Sequence, residues 1–141
     1  MDCVVTPRRR ARGFTLIELM IVCVVVAILS MLALPSYLQS VRKSRRSDAI
    51  DATSAIVQAQ ERWRANNTTY SANFTNLAPL TSASREGYYQ LALTAATGIG
   101  YILTTTAVNG RGQEHDTGCA TLTSTVDRGA VTYAPAGCWS R

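Results

Sequence analysis

The sequence predicts an α+β chain in which one long N-terminal helix, its first half apolar enough to cross a membrane and its second half amphipathic, packs on a small C-terminal antiparallel sheet of about four strands. Three observations carry this. The run from Phe14 to Leu34 is almost wholly apolar; the stretch after Pro35 places apolar residues at helical spacing; and four short runs rich in Tyr, Thr, Val and Leu follow, divided by turn residues. With the membrane segment set aside, the 141 residues leave room for one small globular domain.

Residues 1–13 form a short basic leader. From Phe14 to Leu34 the only charge is Glu18, and a helix of that length rises about 30 Å, enough for a bilayer core. A buried core helix should show a polar face, yet Leu19 to Leu34 offers only Ser30. A secretory signal should close on a small-x-small cleavage site, whereas this run closes on Leu34-Pro35-Ser36-Tyr37. Pro35 lacks an N–H and clashes with the preceding turn, so it is expected to kink the helix or begin its outer half. From Ser36 to Ala65, Ile50, Ile56, Ala59 and Trp63 lie near helical spacing between charged residues. Residues 66–87 read as an irregular connection containing Pro79, pinned by Tyr70, Phe74, Leu77 and Leu80. The expected strands are Tyr88–Thr94, Tyr101–Val108, Cys119–Thr125 and Ala130–Tyr133. Thr97-Gly98-Ile99-Gly100 and Val126-Asp127-Arg128-Gly129 suit hairpins, and Asn109 to Gly118 a longer polar loop. The domain reading is therefore a leader at 1–13, a membrane helix at 14–35 and a head domain at 36–141.

Charge gives no ligand. Four arginines against Asp2 put +3 of the net +5 before residue 14, leaving +2 on the remainder. Arg42, Lys43, Arg45 and Arg46 follow the span as four arginines precede it, so basic residues alone do not orient it. The cysteines do. Cys3 lies in the leader and Cys23 in the apolar run, but Cys119 and Cys138 share a polar, strand-rich half, where a bridge needs an oxidising compartment. That places the leader in the cytoplasm and the head in the periplasm. His115 with Glu114, Asp116, Cys119 and Cys138 makes a poor metal site, since there is no CxxC pair and no second histidine. No nucleophile and base pair up, so the reading is a non-enzyme with no metal and no cofactor.

The string Arg12-Gly13-Phe14-Thr15-Leu16-Ile17-Glu18-Leu19-Met20 resembles the class III leader and N-terminus of type IV pilins. It joins a basic leader, Gly immediately before Phe, Glu at the fifth mature position, and an apolar segment ending at Pro35. The resemblance implies the pilin fold, cleavage by prepilin peptidase between Gly13 and Phe14, N-methylation of Phe14, and pairing of Glu18 with the new amine of a neighbouring subunit during assembly. Pro35-Ser36-Tyr37, Asp48-Ala49, Gln58 to Trp63, Gly87-Tyr88-Tyr89, Gln113, Asp116 and Cys138-Trp139 are similar to minor pilins of the PilE type. Many pilins carry a glycine eight residues before the helix proline, where the helix stretches; Ala27 stands here, and alanine resists melting by roughly 1 kcal/mol more.

The implied function is that of a minor pilin supporting pilus biogenesis, twitching motility and adhesion. Its partners would be other pilin subunits, the peptidase and the inner-membrane assembly machinery. The protein would reside in the inner membrane before assembly and in the extracellular pilus afterwards. Two alternatives stand beside it. One is a type II secretion pseudopilin; the other is a DNA-uptake minor pilin, with Arg85, Arg111, Arg128 and Arg141 as the candidate phosphate contacts.

Overall fold

The computed structural model describes residues 13–140, so the leader up to Arg12 and the terminal Arg141 lie outside the described residues. The chain divides between Tyr37 and Leu38 into two compact units. Helix α1, Leu16–Arg64, has Pro35 within it. By length and composition α1 is able to cross a membrane, and its apolar residues from Leu16 to Leu34 are exposed. Thr15 starts the helix. Its hydroxyl accepts the Glu18 backbone N–H at 3.3 Å, the N-cap half of a Thr-x-x-Glu capping pattern.

In the C-terminal unit α1 buries Ala49, Thr53, Ile56 and Gln60, a stripe one helical face wide. Against it lies a four-stranded antiparallel sheet in sequential order: β1 Tyr89–Thr94, β2 Gly100–Ala107, β3 Thr121–Asp127 and β4 Ala130–Ala134. Alternation sends Tyr89 and Leu91, Tyr101, Leu103 and Thr105, and Leu122, Ser124 and Val126 toward the helix. Ile56 and Ala59 join Leu91, Tyr101, Leu103 and Val126 in one apolar cluster; Ala49 joins Tyr89, Ala107, Leu122 and the two half-cystines in a second.

The strands match the expected ones to within two residues. β3 starts at Thr121 rather than Cys119 because Cys119 closes a turn, donating its N–H to Asp116 O at 2.8 Å. It extends to Asp127, which pairs with Ala130, so the hairpin turn is only Arg128-Gly129. Both turn residues have positive φ, 48° and 82°, as a type I′ turn requires.

The connection after α1 is held by side chains. Fully buried Gln60 donates to Ser71 O at 2.7 Å and accepts Ser71 N–H at 2.9 Å. Asp48 accepts the Ser84 hydroxyl at 2.6 Å and the Glu86 N–H at 3.1 Å, fixing the chain just before β1. At the C-terminus Cys119 and Cys138 are joined, 19 residues apart. Closing a loop of that size limits the unfolded chain, so Cys138→Ser is expected to lower stability by about 3 kcal/mol, read as a fall in melting temperature.

Burial also sets an alkaline limit. It pushes the Tyr89 hydroxyl up to about 12 and raises those of Tyr101 and Tyr70, the last helped by Glu61. For Tyr89 the folded value exceeds the ordinary tyrosine value of 10, so its contribution is intact below pH 10 and is lost as pH rises toward 12. Tyr89→Phe should flatten that alkaline loss while leaving neutral stability less affected, as measured by denaturant melts from pH 8 to 12.

Candidate functional site

The sequence points to two regions, one in each unit. In the first, Gly13, Phe14, Thr15 and Glu18 line one hollow at the start of α1. Phe14 is exposed, and a Cβ added to Gly13 would meet nothing within 4 Å. The fold itself therefore sets no demand for glycine at 13. Glu18 sits in the first turn of α1, where the helix's positive end favours a carboxylate.

In the second region the four candidate arginines separate. Arg85 and Arg111 lie at the pole where β1 begins and β2 ends: Arg85 pairs with Glu86 at 3.3 Å, and Arg111 donates to Glu86 O at 3.2 Å. Arg128 sits at the other end, its N–H bonded to Ile99 O at 2.7 Å beside the start of β2. The eight residues of β2 put about 25 Å between the two ends. Arg141 lies outside the described residues.

The structure adds a residue that sequence reasoning missed. The Arg45 guanidinium lies 4.6 Å over the Tyr88 ring and donates to Arg111 O at 3.1 Å. With Arg85 and Arg111 held at Glu86, a basic pole forms from Arg45, Arg85 and Arg111 beside Tyr88. Arg46 is not available to it. Asp116 takes Arg46 through two bonds, Nε at 2.6 Å and Nη2 at 3.1 Å, and Asp116 also accepts from buried Gln113 at 3.1 Å. Gln113 Nε2 shares its two hydrogens among that carboxylate, Tyr89 Oη at 2.9 Å and Arg42 O at 3.1 Å, so this network ties the loop before β3 to α1. Among the described residues no cluster has the makings of a metal site.

A membrane-capable apolar helix continuing into a small head, where it backs a four-stranded sheet closed by a C-terminal disulfide, defines the class: a pilin-like structural subunit rather than an enzyme. The prokaryotic N-terminal methylation motif matches residues 8–34, and the family described as "Type IV minor pilin ComP, DNA uptake sequence receptor" matches residues 35–123. The chain belongs to that family of type IV pilins. It is 38% identical over 81 residues to the type IV major pilin protein PilA of Myxococcus xanthus, covering 56% of this chain and 36% of the relative. To a fimbrial protein of Neisseria meningitidis it is 33% identical over 88 residues, 62% of this chain and 52% of the other. To the type II secretion system core protein G of Klebsiella pneumoniae it is 31% identical over 75 residues, 53% and 54% of the two chains. The matches thus span about a third to a half of these relatives' own lengths. Type IV pilins are anchored by the N-terminal helix before they assemble with other pilin subunits into an extracellular filament, and the apolar half of α1 fits that anchor.

Proposed function

We propose that this chain is a minor pilin: prepilin peptidase cuts it between Gly13 and Phe14, the Phe14 amine is methylated, and assembly machinery of the inner membrane draws the subunit into a type IV pilus. The observation that carries this reading is the Gly13-Phe14 junction itself. Gly13 is a glycine with no internal packing reason, placed directly before a capped, membrane-capable helix. A peptidase that must approach the backbone supplies the missing reason. The leader then lies in the cytoplasm and the disulfide-bearing head in the periplasm. Intact mass and N-terminal sequencing of sheared filaments test it. A methylated Phe14 terminus in filaments is expected; an intact leader overturns the reading, and a processed chain confined to membranes favours a secretion pseudopilin.

A second reading is favoured by the family match over residues 35–123 together with the basic pole: the displayed head binds DNA. Arg45, Arg111 and Arg85 would contact phosphates, with Tyr88 under Arg45 presenting an aromatic face. The full chain in detergent micelles should bind duplex DNA in a salt-dependent manner. Each phosphate contact removed, by Arg45→Ala or Arg111→Ala, should lower the log–log salt slope by about 1, while Arg128→Ala should leave it unchanged. Equal effects of all three substitutions would mean diffuse attraction with no defined site.

A further inference from the structure

β4 is the least covered element of the C-terminal unit. All five of its residues are exposed, including Val131 and Tyr133. The register puts these two on the helix-facing side, since Tyr133 pairs with fully buried Ser124 and Val131 with Val126. Nonetheless, neither apolar cluster includes a residue of β4. On the same side Tyr101 Oη and Ser124 Oγ are buried without a hydrogen-bond partner, as is Nε1 of Trp139, whose ring lies 4.5 Å from that of Tyr133.

The two edges of the sheet are treated differently. The outer edge of β1 is covered by the preceding chain: Leu91 N–H bonds Ser82 O at 2.7 Å and Ser84 N–H bonds Tyr89 O at 2.9 Å. Among the described residues no strand pairs with the outer edge of β4. Open edges are ordinarily blunted by charge, proline or a bulge. Ala130-Val131-Thr132-Tyr133-Ala134 has no charge and no proline, and its pairing with β3 is unbroken.

The turn fixes which backbone groups point outward. A two-residue type I′ turn makes Asp127 and Ala130 a hydrogen-bonded pair, and alternation then turns Thr132 and Ala134 toward β3 as well. The N–H and C=O groups of Val131 and Tyr133 are left at the free edge. A second β4 laid antiparallel with Thr132 opposite Thr132 places Val131 opposite Tyr133 on both sides of the axis. These are the residues whose backbone groups face out, so each of the two pairs exchanges both hydrogen bonds. Their side chains form aromatic–β-branched cross-strand pairs on one face. No other in-line register matches both the free groups and the side chains.

We propose that β4 is a self-recognition edge: two copies of this chain join through antiparallel β4–β4 pairing about Thr132, merging their sheets. The contact is isologous and closes on itself, so it links heads two at a time rather than propagating a filament. A five-residue edge makes a weak contact for an isolated pair and a strong one where many copies are arrayed. On filaments that display the subunit it is a lateral cross-link between them, a consequence that rests on the pilin reading, whereas pairing of the chain itself does not.

Thr132 occupies a non-hydrogen-bonded pair in this register, with Cα atoms about 4.5 Å apart, within the span of about 4.4 to 6.8 Å that a disulfide accepts. The test is oxidation of the full chain in detergent micelles, with Cys3 and Cys23 replaced by serine and Thr132→Cys introduced. A covalent homodimer should form roughly ten-fold or more faster than with Ala92→Cys, an exposed position on β1, because pairing holds the thiols at high effective concentration. Adding Val131→Pro removes an outward N–H without touching the bonds to β3, and should return the rate to that of Ala92→Cys while the melting curve stays cooperative. Cross-linking no faster than at Ala92, or unaffected by Val131→Pro, overturns the proposal. So does trapping in cells of a different pilin in place of a second copy.

Discussion

Glu18→Ala is expected to remove this subunit from filaments while the C-terminal unit melts as the parent does. Glu18 is exposed in the first turn of α1, in an otherwise apolar first half. A carboxylate carried into hydrocarbon costs several kcal/mol unless it is paired or takes up a proton. On the proposed reading, the amine freed at Phe14 of a neighbouring subunit would be a partner of the required sign, so that pairing would be gained on assembly and would set the axial register. The fold offers a competing role, because Glu18 is also the third helical residue after the Thr15 cap. Glu18→Gln separates the two: it keeps a side chain suited to that capping position and loses the charge. Immunoblots of sheared filaments against membrane fractions should show both variants excluded from filaments. Normal incorporation of the glutamine variant would assign Glu18 to capping, and normal incorporation of both would end the pairing mechanism.

Much of this was legible because it depends on local pattern. The apolar run after Phe14, the stripe from Ala49 to Gln60 and the alternation in β1 to β3 each repeat with the period of their own element. The Arg128-Gly129 turn was readable from its glycine, although the pairing of Asp127 with Ala130 shortened it. Contacts between residues far apart in sequence were not legible. Arg45 meets Arg111 across 66 positions and Arg46 meets Asp116 across 70, and no periodicity marks either pair. The candidate arginines were grouped by charge alone, and the sheet then carried Arg85 and Arg111 to one end and Arg128 to the other. Exposure of β4 escaped notice for a related reason. Nothing in its Val and Tyr marks them as exposed, and although the register puts both on the helix-facing side they are left uncovered.

Asp116→Ala should be the most damaging single substitution in the C-terminal unit. The Asp116 and Arg46 side chains are 6% and 12% exposed, so water replaces little of what either loses. Removing the carboxylate leaves a nearly buried guanidinium without its counter-charge, at a cost of about 3 to 5 kcal/mol. Gln113 loses an acceptor as well, loosening its hold on Tyr89 and on the loop that presents Arg111. Against a stability of about 5 to 15 kcal/mol for a domain of this kind, that loss takes a large share. The melting temperature should fall by roughly 15 °C or more. Replacing both partners, Arg46→Met with Asp116→Leu, should recover most of the loss, because two apolar side chains need no mutual neutralisation. Recovery of stability without recovery of DNA binding would show that the pair positions the basic pole as well as stabilising the fold. Full recovery of both would confine the pair to a stabilising role. A single variant that melts with the parent would mean that water reaches the guanidinium and that the network around Gln113 holds the loop without Asp116.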